Sequence, residues 1–126
     1  MSFDSPKTID TLIGLDYPFD LIIKNVITLI EYDYLSPISL ELLQWVSNCF
    51  FQTKNEEDLT QYSMLTIDLI EKIFENANSY NAFLYTYQQI VAQKITLHPT
   101  LKWIITELLA RHLSLNDSKN DPAFHE

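Results

Sequence analysis

The sequence predicts an all-α protein of about six helices, and three observations carry that prediction. The 126 residues contain a single glycine, Gly14, whereas hairpins and phosphate-binding loops place glycine at corners where φ is positive. The five prolines stand at the edges of apolar segments and not inside them. Between those edges apolar residues recur three and four apart, the spacing of one helical face.

Taken in order, Ser5-Pro6 pairs an N-capping residue with proline at the first helical position. It opens a short helix through Ile9, Leu12 and Ile13 that stops near Gly14. Tyr17-Pro18 opens a second helix to about Tyr34, with Phe19, Ile22, Ile23, Val26, Ile27 and Ile30 on one side. Ser36-Pro37 repeats the cap-and-proline device and starts a third helix to about Gln52, which Thr53-Lys54-Asn55 breaks. Asn55 then caps a fourth helix whose first turn holds Glu56, Glu57 and Asp58, where the helix dipole favours negative charge. Its buried face is Leu59, Tyr62, Leu65, Leu69, Ile70 and Ile73, and it runs to about Asn76. After the break Asn76 to Ser79, a fifth helix carries Tyr80, Phe83, Leu84, Tyr87, Val91 and Ile95. His98-Pro99 is the next boundary, because the residue before proline is pushed out of the α region. The sixth helix packs through Leu101, Ile104, Ile105, Leu108, His112 and Leu115. Residues 116–126 are polar, contain Pro122 and read as a disordered tail. The expected organisation is therefore one domain over residues 1–115 and a tail over 116–126.

Connections of two to five residues force neighbouring helices to turn back on one another. Two architectures satisfy this: a right-handed stack of helical hairpins and an irregular six-helix bundle.

At the third helix the residues Ser39 to Gln52, SLELLQWVSNCFFQ, resemble the third helix of an armadillo repeat. Ser47-Asn48 match that family's Ser-Asn pair, and Trp45 stands three residues before the Asn where the family has four, with Gln44 at the family's Trp position. The resemblance implies a short armadillo- or HEAT-like superhelix. It also implies that Asn48 hydrogen-bonds an extended peptide and that Trp45 shapes pockets for its side chains. Helices of near-uniform length and spacing favour the same superhelix over the bundle.

Charge and composition narrow the function. Eight basic and 17 acidic residues give a net charge of -9, which repels phosphate backbones and anionic membranes, so neither nucleic acid nor membrane is an expected ligand. No apolar run approaches the roughly 18 residues of a membrane span. The single Cys49 forms no internal disulfide, and the N-terminus lacks a basic then apolar leader. An intracellular protein, cytoplasmic or nuclear, is expected. Charge is uneven along the chain: residues 77–115 hold one acid, Glu107, against Lys94, Lys102 and Arg111.

Chemistry-bearing motifs are missing. His98, His112 and His125 have no helical metal-site spacing, and there is no glycine-rich phosphate loop, HExxH or nucleophile elbow. No enzymatic activity and no cofactor or metal are expected. His112 reads as a boundary histidine, His98 as the residue preceding a helix, and Cys49 as an inert thiol on the packed face. The acids Glu56 to Asp58 read as capping and a solvated face.

What remains is large apolar residues behind the main helix faces. At 100° per residue Trp103 points away from Leu101, Ile105 and Leu108 and shares its side with Thr106 and Ala110, beside Lys102. Leu21, Tyr32, Leu40, Phe51 and Tyr85 are likewise off-face, and on the central helices a second packed layer is expected to cover them. The expected function is a protein-protein interaction module, an adaptor or subunit of a larger complex. It would contact another protein or peptide, expected to be basic, through Trp103, Lys102, Thr106 and Ala110, with Trp45 and Asn48 as a second contact. The alternative is a homodimer formed through the off-face aromatic residues.

Overall fold

Five helices and no strand make up residues 17–32 and 39–120, the part described by the computed structural model, with side chains through residue 114. They are α1 (Phe19–Glu31), α2 (Leu40–Gln52), α3 (Glu56–Phe74), α4 (Ala77–Ala92) and α5 (Pro99–Asn120). The expected helix from Ser5 to Gly14 lies outside the described residues, so the count of six reduces to five within them.

Short polar side chains set the helix starts. The Ser39 hydroxyl accepts the Leu42 N–H at 3.1 Å, so the cap of α2 is Ser39; the expected Ser36-Pro37 device lies outside the described residues. Asn55 Oδ1 accepts the Asp58 N–H at 2.8 Å and begins α3 as the sequence predicts. Asn76 Oδ1 accepts the Ser79 N–H at 3.0 Å, which turns the expected break at Asn76 to Ser79 into a cap and first turn. Each such bond satisfies an N–H that has no partner within its own helix.

Two ends differ from expectation. α4 stops at Ala92, three residues before Ile95. Lys94 N–H bonds to Val91 O at 3.2 Å and Ile95 N–H to Ile90 O at 3.0 Å, the paired bonds of a Schellman motif. The reversal puts Lys94 at φ 55, in the left-handed region that favours glycine. α5 runs through Asn120, five residues beyond the expected domain end at 115. Nothing in Asn116 to Asn120 breaks a helix, and the next breaker is Pro122.

The most extensive contacts join α1 with α3 and α3 with α5; α2 meets α4 less extensively. α4 also leans on α3, and α2 on α5, so α3 is the central element. One core results, built from Ile22, Ile23 and Val26 of α1, Leu42, Val46 and Phe50 of α2, and Leu69, Ile70 and Ile73 of α3. Phe83 and Ile90 of α4 and Leu101, Ile104 and Ile105 of α5 close it. The off-face residues behave differently from expectation. Leu40 packs against the core, whereas Leu21, Tyr32, Phe51 and Tyr85 are exposed. Among the described residues no further layer covers the outer sides of α1, α2 and α4. Nor is any described helix long and apolar enough to cross a membrane.

Candidate functional site

Two concavities carry the candidate residues. The first is a groove of about 540 Å³ between the starts of α1 and α3 and the end of α2. Its floor is a three-ring stack: Phe19 lies 5.3 Å from Trp45 and 4.2 Å from Tyr62, with interplanar angles of 16° and 15°. Offset stacking of this kind adds about 0.5 to 1.5 kcal/mol per pair beyond area burial. The rim is polar, with Asn48, Gln52, Asn55 and Asp58. Asn55 is occupied by its own helix, since its amide also donates to the Asp58 carboxylate at 3.2 Å. Burial pushes the Tyr62 phenol above its ordinary 10.0, and the neighbouring Cys49, Asp58 and Asp20 push the same way.

Trp45 and Asn48 both line this groove. Their roles divide, though. Trp45 is half-buried in the ring stack, while Asn48 is exposed. Ser47, the other half of the Ser-Asn pair, is buried and accepts the His98 N–H at 2.8 Å across 51 residues of chain. That bond ties the turn between α4 and α5 to α2. His98 completes the tie: its ring meets Phe50 and Phe51 edge-on at 5.6 and 4.7 Å, and its Nδ1 accepts the Thr100 N–H at 3.1 Å. His112 sits against Tyr80 at 4.4 Å and Phe74 at 5.1 Å in a second aromatic cluster. Cys49 is half-buried on the groove wall, less enclosed than its predicted place on the packed face.

The second region is the outer side of α5 and the cleft beside it. Leu101, Ile104 and Ile105 are buried, whereas Lys102, Trp103, Thr106 and Ala110 are exposed, Trp103 at 61%. The Thr106 hydroxyl donates to Lys102 O at 2.9 Å, so its polarity is spent within the helix. Leu113, at 48% exposure, falls on this face and was missed in the sequence. The helical arithmetic that singles out Trp103 also reaches Leu113, ten residues on.

Next to this face, the end of α4, the turn and the start of α5 enclose about 340 Å³. Tyr87, Ile90, Val91, Ile95 and Leu97 form its apolar walls, and Lys94 and Lys102 stand on its rim. The spacing of these residues did not announce the cleft, because it exists only where Lys94 turns the chain out of α4. Lys72 pairs with Glu31 and Glu75, and Arg111 with Glu107. Lys94 and Lys102 have no acidic partner in salt-bridge range among the described residues.

Among the described residues no three His, Cys, Asp or Glu side chains gather closely enough to hold a metal ion. Compared with protein families, curated proteins and solved structures, the chain matches none.

Proposed function

We propose that this chain is a non-enzymatic protein-protein interaction module, an intracellular adaptor or complex subunit built as a short armadillo- or HEAT-like stack. Support for the stack comes from the two most extensive contacts, α1 with α3 and α3 with α5, which join helices two apart in sequence. The observation that carries the binding role is Trp103, 61% exposed on the side of α5 away from the core. Tryptophan is enriched at interface hot spots, and a large exposed aromatic beside the small Thr106 and Ala110 offers a partner a raised anchor on a flat face. Lys102 and Leu113 extend the same surface. The acidic excess lies mainly before α4 and would steer a basic partner to that side of the molecule.

The test uses the intact protein as bait, followed by titration of the protein it retains. Trp103→Ala is expected to leave stability within about 0.5 kcal/mol of the parent and to weaken the complex by about 2 kcal/mol, roughly 30-fold. Sedimentation of the protein alone covers the homodimer: a dimer that Trp103→Ala dissociates makes a second copy the partner. If the variant unfolds, or if affinity is unchanged, the α5 face is not the contact.

A further inference from the structure

We propose that the cleft between α4 and α5 seats an acidic, apolar peptide segment of the partner protein, its carboxylate held between Lys94 and Lys102 and its apolar side chain set against Val91 and Ile95. The proposal rests on the reading of the chain as an interaction module and names the chemistry of what is recognised.

Three observations carry it. The first is charge complementarity. In a chain of net charge -9, residues 77–106 contain no acid, and the cations they do contain are Lys94 and Lys102. Both stand on one rim without a carboxylate partner among the described residues. Screening over about 8 Å at physiological ionic strength makes the nearest charges count most, and the nearest charges here are positive. Local charge, not net charge, decides what enters.

The second observation is the wall. Tyr87, Val91 and Ile95 line the same cleft as the two lysines over the buried Ile90 and Leu97, and Val91 is 61% exposed. A bare inorganic anion would leave that surface wet, and a purely apolar ligand would leave the lysines idle. An acid next to an aliphatic or aromatic side chain uses both. The volume, about 340 Å³, lies near the lower limit of ligand pockets, which suits a short segment laid across the mouth.

The third observation is the identity of residue 94. Its φ of 55 belongs to the left-handed region, where a residue with a Cβ is strained and glycine is not. A backbone outlier of this kind motivates a functional reading of the position. A lysine at this corner is placed on the cleft rim by the same backbone turn that strains it.

The experiment selects binders from a displayed library of random peptides against the intact protein. Enriched peptides are then titrated by fluorescence anisotropy against the parent, Lys94→Gly, Lys102→Gln and Trp103→Ala. Enriched sequences are expected to pair Asp or Glu with a neighbouring apolar residue, and their affinity to fall as salt rises. Lys102→Gln is expected to weaken them about tenfold, the scale of one charge-assisted hydrogen bond. Lys94→Gly should weaken them similarly while raising the melting temperature by a few degrees, a pair of opposite effects that a purely structural residue would not give. Basic or neutral consensus sequences, or affinities that neither lysine substitution changes, would overturn the inference. If such peptides still depend on Trp103, the interaction-module reading stands without the cleft. If the library yields no binder, both readings fail.

Discussion

The groove at Trp45 and the cleft at Lys94 sit on the same five helices and are held open in opposite ways. In the groove the rings and the cap are already engaged, while Asn48, Gln52 and Lys54 line it exposed: Trp45 and Tyr62 sandwich Phe19, Asn55 caps α3, and Ser47 just behind anchors His98. In the cleft the walls lean on the core while the rim groups, Lys94 and Lys102, stand unneutralised among the described residues. A concavity whose side chains satisfy one another serves the fold, and one whose side chains are left over is ready for a partner. By that measure the ring floor of the larger groove is structural, and the smaller cleft, with the outer face of α5, is the surface proposed for recognition.

The strongest way to break this comparison is to remove one wall from each. Phe19 is 5% exposed and lies inside the ring stack, so Phe19→Ala is expected to destabilise by about 3 to 5 kcal/mol. Val91→Ala, at an exposed wall of the cleft, should stay within about 0.5 kcal/mol. Urea unfolding of the two variants measures the difference. Similar small losses at both positions would remove the distinction between a structural groove and a free cleft.

A smaller effect sharpens the comparison inside the groove itself. Ser47→Ala leaves the His98 N–H without its acceptor in a part-buried site, at an expected cost of about 1 to 3 kcal/mol. Asn48→Ala, one residue on and exposed, should change stability by less than about 0.5 kcal/mol. The neighbouring pair that resembles an armadillo Ser-Asn would then divide into a structural serine and a surface asparagine. Equal losses at the two positions would place Asn48 in the fold as well and leave no surface role for it.

How much of this was legible follows from which interactions are local. The caps at Asn55 and the boundary at His98-Pro99 depend on residues two or three apart, and the sequence predicts both. Trp103 was legible because the faces of a single helix follow from angle alone. The end of α4 was not, since a lysine in the left-handed region carries no signature and apolar spacing continues through Ile95. Nor was the bond between Ser47 and His98, because 51 residues separate its ends. The cleft combines both blind spots: it needs the unsignalled turn and the approach of two helices across it.

The smallest expected effect tests how far the groove buries the Tyr62 phenol. Burial is the main reason that the Tyr62 phenol lies above 10.0, and Cys49, Asp58 and Asp20 add to it. The sign follows from proton binding. Above the unfolded value the unfolded chain has lost the phenolic proton while the folded chain still holds it, so folding takes up a proton and stability falls as pH rises. The contribution is fully present below about pH 10 and disappears as pH climbs through the higher folded value. Replacing Tyr62 with Phe keeps the ring against Phe19 and removes the titrating hydroxyl. Urea midpoints of parent and variant, followed from about pH 8 to about pH 11, are expected to run parallel at first. They should then converge or cross as the parent loses stability more steeply. Curves that stay parallel to the top of the range would mean that the phenol is as well solvated as in the unfolded chain. The groove would then lack the burial of its phenol that the ring stack with Phe19 implies.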